Sequence, residues 1–347
     1  MRIAVDVMGG DLGPEPVIEG AIAAAKKNIQ IVLVGDKNII EKTLSKINEK
    51  DLPVFIKHAE ETVSMEESPS KVIRNKKNSS MAVAYNLVKE GTAKAFISPG
   101  NTGAALGYGI TILKRLKNIK KPAIAVVLPA KNGNVVLIDV GGNVDCKPVH
   151  LFQFALMGSL YAKNLLDVKN PSVALLSNGE EESKGNEVIR NSAEYLKNSS
   201  LNYIGFKEGK DIFNGEVDVF VCDGFVGNIC LKLAESIGVN LWEILKREMA
   251  GSFLSRLGLF FMKNSLKKIK KQIDYREYGS APLLGLNGAS FICHGSSDSN
   301  AIYNGIINAV KFIKSGYNEQ LQKELEYYAD IEKKGFWSNI KDKISFN

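Results

Sequence analysis

The stretch "AFISPGNTGAALGYG" (95–109) decides the fold. An apolar run from Ala95 to Ile97 stops at Ser98-Pro99-Gly100, then Asn101-Thr102-Gly103 lead into a helix-like run of small residues. A strand, a tight polar turn and a helix N-terminus make the usual geometry for holding an anion. Yet the stretch is neither a Walker loop nor a complete G-x-G-x-x-G, and no lysine sits beside it. What it holds has to be read from the rest of the chain.

Outward from this stretch the same alternation repeats. Strands are expected at 2–7, 29–35, 54–59, 95–98, 123–128, 135–140, 173–177, 202–206, 217–224 and 290–295. Their apolar residues are continuous rather than alternating, as in a mainly parallel sheet covered on both faces. Helical patterns fall between them, at about 16–27, 37–48, 70–90, 102–117, 148–164, 183–197, 226–250 and 297–314. The reading is a doubly wound α/β fold, a mainly parallel sheet with helices on both faces. Residues 1–315 are expected as a single large α/β domain with an amphipathic helical protrusion at 251–274, and 316–347 as a C-terminal helical tail.

Composition bounds the function. Hydrophobic residues make up 45% of the 347 and charged residues 24%, ordinary for a soluble globular protein. The net charge of +7 favours anionic substrates, acidic proteins or membrane surfaces. Cys146, Cys222, Cys230 and Cys293 form no C-x-x-C pair, which argues against structural zinc and a disulfide framework. "MRIAVDVMGGD" is a poor signal peptide, and no stretch has the ~20 apolar residues of a membrane span. A cytoplasmic protein is expected. There is no nucleotide fingerprint, metal-carboxylate cluster or nucleic-acid motif, so no cofactor, metal or nucleic acid is expected.

In open α/β sheets, ligands bind outside the carboxyl ends of the strands. Six strand ends carry loops rich in Gly, Asn and Ser: "MGGDLGPEP" (8–16), "PGNTGA" (99–104), "GGNVDCKP" (141–148), "NGEEESKGNE" (178–187), "GFVGNICLK" (224–232) and "GSSDSN" (295–300). Glycine admits close backbone approach, while the polar residues cap helices or bond a ligand. The shared reading is an anion site, most simply for phosphate. The expected substrate-binding set is Gly9, Gly10, Asp11, Gly100, Thr102, Gly103, Asn143, Asp145, Lys147, Asn186, Asp223, Gly227 and His294. Lys184 is expected as the cation on phosphate or an oxyanion, with Asn228 and Asn101 as polar donors. Asp6, Asp139 and Asp223 at strand ends read first as hydrogen-bond acceptors for neighbouring turns, with metal ligation, a general base or loop organisation as the functional alternatives. Cys293 and His294 are adjacent in a strand, so they point to opposite faces and do not form a nucleophilic pair.

The segment "GSFLSRLGLFFMKNSLKKIKKQID" (251–274) breaks the alternation. Leu254, Leu257 and Phe261 lie near helical spacing, with Lys267 and Lys268 among its charges. Such a helix suits an anionic bilayer, a helix pair at a dimer interface or a cap on the core, and a groove for acyl chains.

The loops, in this order, resemble the PlsX family, the acyl-acyl carrier protein:phosphate acyltransferases of bacterial phospholipid synthesis. The matching stretches are "IAVDVMGGDLGPEP", "ISPGNTGAALG", "VVLIDVGGNVDCKP", "NGEEESKGNE", "VDVFVCDGFVGNICLK", "YGSAPLLGLNG" and "CHGSSD". Leu12 and Gly142 are small departures from the family pattern. The resemblance implies reversible transfer of a fatty acyl group from an acyl carrier protein thioester to inorganic phosphate, giving acyl phosphate. It also implies a fold akin to phosphotransacetylases and isopropylmalate-type dehydrogenases. It implies a homodimer, peripheral contact with the inner face of the cell membrane, and hand-over of the product to a membrane glycerol-3-phosphate acyltransferase of the PlsY type. The competing readings are a phosphotransacetylase acting on acyl-CoA, a covalent route through Cys146 or Cys293, and a membrane-surface scaffold.

Overall fold

A computed structural model of the chain describes residues 1–47, 49, 51–250, 262 and 279–333. The segment 251–274, with Leu254, Leu257, Phe261, Lys267 and Lys268, lies outside the described residues apart from Met262.

The first block of strands follows the expected alternation: β1 (Arg2–Asp6), α1 (Pro14–Ala25), β2 (Gln30–Gly35), α2 (Lys37–Ile47), β3 (Val54–His58), α3 (Pro69–Asn75), α4 (Ser80–Lys89), β4 (Ala95–Ser98) and α5 (Thr102–Tyr108). The single helical pattern at 70–90 is two helices. "KKNSS" (76–80) interrupts it, and Ser79 starts α4 by accepting a hydrogen bond from the Ala82 N–H. Helix α5 continues as a π-helical turn, Gly109–Leu113, which ends where Lys114 adopts φ 70°.

The remaining elements are β5 (Ala123–Ala130), β6 (Gly133–Ile138), α6 (Pro148–Leu165), β7 (Ser172–Leu176), α7 (Glu187–Lys197), β8 (Asn202–Lys207), β9 (Val219–Val221), α8 (Gly224–Ala250), β10 (Ala281–Leu284), β11 (Ala289–Ile292), α9 (Ser299–Lys314) and α10 (Tyr317–Lys333). Strand β10, "APLL", is short, lacks β-branched residues and contains Pro282, so local propensity speaks against it. It forms because both its edges are occupied, by β11 and by β5.

The eleven strands among the described residues form one sheet, in the order β3-β2-β1-β4-β11-β10-β5-β6-β9-β7-β8. Strands β3, β2, β1, β4 and β11 are mutually parallel, as are β6, β9, β7 and β8. The two blocks run in opposite directions because β11–β10, β10–β5 and β5–β6 are antiparallel. Strand β5 is long enough to serve both blocks: Ile124 pairs with Leu283 at one end, and Ala130 with Gly133 at the other. The blocks are therefore staggered, and the strand-end loops of each lie beside this shared strand.

One face of the sheet packs against α1, α2, α6, α7, α9 and α10, the other against α3, α4, α5 and the start of α8. Helix α6 is buried over most of its circumference because α10 covers its outer side. Tyr317 donates to the Met157 carbonyl at 2.9 Å, and Tyr328 meets the Phe152 ring edge-on at 5.0 Å. The C-terminal helical segment thus enters the main core over Tyr317–Tyr328, with Leu321 and Leu325 buried.

Candidate active site

Two loop clusters flank the shared strand, and each is organised by a buried aspartate at a strand end. In the first block, Asp6 closes β1. Its Oδ2 accepts from Ser98 Oγ at 2.7 Å and its Oδ1 from the Met8 N–H at 3.1 Å. Ser98 Oγ in turn accepts from the Gly100 N–H at 2.9 Å, so one carboxyl group ties the loop after β1 to the loop after β4. Burial pushes the Asp6 carboxyl above the usual carboxylate range, opposed by the Ser98 and Ser80 hydroxyls. Backbone contact is close here. A Cβ on Gly9 would stand 2.7 Å from the Gly100 nitrogen, and Asp11 N–H donates to the Gly295 carbonyl at 2.7 Å. Gly10 adopts φ 88° at this turn. The loops after β1, β4 and β11 thus meet.

Asn101 is the hub of the quoted turn. Its Oδ1 accepts from the Ala104 N–H at 3.0 Å, capping α5, and its Nδ2 donates to the carbonyls of Met65 and Glu67 at 2.9 and 3.0 Å. Its amide is occupied by the protein itself and shapes the turn. Thr102, next in sequence, is exposed.

In the second block Asp139 does the equivalent work after β6. Its Oδ1 accepts from the N–H groups of Ile124 and Gly142, both at 3.0 Å, and its Oδ2 from Asn143 Nδ2 at 2.8 Å. Asn143 also donates to the Pro122 carbonyl at 2.7 Å, and its own carbonyl receives the Gly224 N–H at 2.7 Å. Asp223 Oδ1 accepts from the N–H groups of Phe225 and Val226, capping α8. Burial raises the Asp139 carboxyl, against the bonds from Ile124, Asn143 and Gly142. Both aspartates are thus the hydrogen-bond acceptors that the sequence reading expected.

A cavity of about 330 Å³ opens where the two clusters face each other across β5. Thr102, Gly103, His294 and Ser297 line it from the first block; Gly141, Asn228, Lys232 and Glu235 line it from the second. Val126, Leu128, Leu231 and Ile292 supply an apolar wall. A lining that combines polar groups with hydrocarbon is what a site for an amphiphilic substrate requires. Ser280 also borders the cavity, and its buried Oγ has no hydrogen-bond partner among the described residues.

Of the residues singled out from sequence, Thr102, Gly103, Asn228, Cys293 and His294 line the cavity itself. Gly9, Gly10, Asp11, Gly100 and Asn101 build the first cluster behind it, and Asn143, Asp223 and Gly227 the second. Lys184, Asn186, Asp145 and Lys147 are exposed and are not among the lining residues. Asn186 caps α7 through the Ile189 N–H at 2.9 Å, while Lys184 packs its stem toward Gly179. Lys232 and Glu235 are additions: Lys232 Nζ lies 2.8 Å from Glu235 Oε2 at the cavity edge. Their signal in the sequence is helical spacing, since both lie on the Asn228 face of α8, four and seven residues on.

Cys293 and His294 diverge as strand geometry requires: the thiol is buried and the imidazole exposed. His294 Nδ1 shares a 2.8 Å hydrogen bond with Ser296 Oγ. Burial pushes the Cys293 thiol up to about 12. Cys146 is also pushed up to about 12, by burial and then by the negative charge of Asp139. Neither thiol is prepared to act as a thiolate nucleophile near neutral pH.

A family model described as fatty acid synthesis protein matches residues 1–320. The chain is 50% identical over 327 residues to a phosphate acyltransferase of Geobacter sulfurreducens, covering 94% of each chain. It is 49% identical over 327 residues to a phosphate acyltransferase of Geotalea uraniireducens, again covering 94% of each. Among solved structures, a phosphotransacetylase from Streptococcus pyogenes superimposes with TM-score 0.62 at 19% identity, over 90% of this chain and 94% of that one. A branched-chain phosphotransacylase from Enterococcus faecalis does so with TM-score 0.56 at 14% identity, over 90% and 98%. At such identities the structural matches speak for the fold.

Proposed function

This chain belongs to the fatty acid synthesis protein family, and from that premise we propose how its strand-end loops carry out acyl transfer to phosphate. The chain is a phosphate acyltransferase. Its acyl donor, in this reading, is the thioester of an acyl carrier protein. The observation that carries the reading is the cavity between the two blocks, lined by the start of a glycine-rich turn, a lysine and several aliphatic side chains.

The chemistry asks for little acid–base assistance. Phosphate is already largely ionised near neutral pH. A thiol with pKa of ~8.5 leaves readily as the thiolate. The protein has to hold phosphate against the carbonyl carbon and stabilise the tetrahedral oxyanion. A phosphate oxygen forms the new O–C bond; the C–S bond breaks and its electron pair leaves with the carrier thiolate. We assign the phosphate cradle to the turn Gly100–Gly103, held open by Asn101, Ser98 and Asp6. Asn228, on the opposite wall, is the donor for the oxyanion. Lys232 supplies the cation, and Lys184 is the alternative cation if its loop closes over the substrate. The acyl carbons take the wall of Val126, Leu128, Leu231 and Ile292.

The product passes to a membrane glycerol-3-phosphate acyltransferase, which calls for contact with the membrane surface. No described helix is long and apolar enough to cross a membrane. Helix α8, however, exposes Phe225, Ile229, Leu233 and Ile237 at every fourth position, 51–59% exposed each. In the sequence, 251–274 follows the last residue of α8. The exposed face supports a homodimer seam continued by a peripheral membrane contact.

The test is phosphate-dependent acyl phosphate formation from acyl carrier protein thioester and from acyl-CoA, side by side. Preference for the carrier thioester is expected. Turnover confined to acyl-CoA would make the chain a phosphotransacetylase instead. Lys184→Ala retaining near wild-type turnover leaves Lys232 as the cation.

A further inference from the structure

We propose that the groove beside the π-helical turn, rimmed by the basic segment 114–121, is the docking surface for an acidic helix of the carrier protein. This rests on the reading of the substrate as a carrier-protein thioester. From Gly91 to Ile138 the chain runs 48 residues without Asp or Glu, and five of the seven Lys and Arg there fall at Lys114, Arg115, Lys117, Lys120 and Lys121. So concentrated a one-sign segment is a strong local field.

The segment has shape as well as charge. Ile110, Leu116 and Ile119 floor an open groove of about 500 Å³, and Lys114 and Arg115 stand at its edge. Its backbone is pinned to the β10–β11 turn: the Leu116 N–H donates to the Gly285 carbonyl at 3.0 Å, and the Asn287 N–H to the Lys114 carbonyl at 2.9 Å. The cationic heads are uncommitted to carboxylates. Among the described residues, none of these five enters an ion pair. Arg115 donates to the Lys120 carbonyl, and Lys121 Nζ to the Asp145 carbonyl at 2.7 Å. A short apolar floor of three side chains with a cationic lip is complementary to one amphipathic acidic helix. A bilayer would instead call for a broad exposed apolar face.

The groove also lies within reach of the chemistry. Helix α5 begins at the cavity with Thr102 and Gly103 and runs into the turn that carries Ile110. At 1.5 Å rise per residue the distance from Gly103 to Ile110 is about 10 Å. A thioester on a flexible prosthetic arm spans that. On the other side, Lys121 and Pro122 hold the Asp145 and Asn143 loop, so the basic segment abuts both walls of the site.

The test compares wild type with Lys117→Glu, Lys117→Glu/Lys120→Glu and Arg115→Glu. Carrier-protein affinity is read by titration calorimetry, KM with the carrier thioester and with acyl-pantetheine, and folding by the thermal midpoint. The expected result is a KM for carrier thioester raised about tenfold or more in the double variant, with turnover on acyl-pantetheine and the midpoint unchanged. Wild-type affinity should fall steeply with added salt. Unchanged carrier affinity and KM in all three variants overturns the docking surface. Unchanged carrier KM with lost binding to phosphatidylglycerol vesicles also overturns it and gives the patch to the membrane. Wild type that turns over acyl-CoA but neither binds nor uses carrier thioester overturns the substrate reading itself, a result distinct from the other two.

Discussion

The Cα of Gly227 lies so close to the Asp139 carbonyl that a Cβ at position 227 would stand 1.9 Å from that oxygen. The first turn of α8 is thereby seated on the strand end that organises the second loop cluster. Gly227→Ala must push the helix off this seat, carrying Asn228 with it. We expect a stability loss of roughly 3 kcal/mol, as for other overpacked core sites. Activity should fall further than stability alone explains, seen as a lower kcat in the fraction that remains folded.

Ser98 passes the Asp6 carboxyl group on to the Gly100 N–H. Ser98→Ala leaves a buried carboxyl oxygen short of a donor, at a cost of about 1–3 kcal/mol. The cradle turn then loses its tie to β1, and KM for phosphate should rise roughly tenfold while the acyl donor's KM stays near wild type. Equal rises in both would mean that the turn does not bind phosphate selectively.

Lys232→Ala removes the cation from the cavity edge and frees Glu235. The loss of a charge-assisted bond worth about 1.5–3 kcal/mol predicts a 10- to 100-fold lower kcat/KM. Lys232→Arg should recover part of it. An unchanged rate in Lys232→Ala, with a reduced rate in Lys184→Ala, would move the cation's role to the loop after β7.

Leu231→Trp fills part of the apolar wall. It should shift the preferred acyl chain toward shorter lengths without altering KM for phosphate, as read from a thioester chain-length series.

His150 gives stability a pH dependence. Burial, with the positive charges of Lys121, Lys147 and Lys120, holds its imidazole down at about 4 from a usual 6.5, and its Nδ1 accepts from the Lys147 N–H. The unfolded chain takes up a proton that the folded chain refuses. Stability from this group is complete above pH 6.5 and is lost as pH falls through about 4. The difference in thermal midpoint between wild type and His150→Gln should therefore shrink over that window.

Strand–turn–helix punctuation was legible because Gly, Asn and Ser mark it locally, and the family resemblance carried by those loops stands. The resemblance and the alternation together led to the observed fold class. The reversal of direction between the two blocks was not legible. It depends on β10, whose Pro282 and paired leucines look like a loop until two neighbours bond to them. Asn101 and Asn186 illustrate another limit: a polar residue after a strand can cap a helix or meet a ligand, and only the distances to Ala104 and Ile189 identify the caps. Lys232 and Glu235 were hidden for the opposite reason, standing inside a helix rather than in a loop.

The position of β11 also governs how this protein can be made. Strand β4 is complete by Ser98, yet its neighbour β11 begins only at Ala289. Until residues 289–292 emerge, the first block presents β4 as an open, largely apolar edge, a template for wrong pairing. A product truncated before β11 would keep five of the six polar loops yet lack both the strand that continues the sheet beyond β4 and the His294 wall of the cavity. Synthesis must pass β11 before β4 has its second neighbour and the cavity its His294 wall.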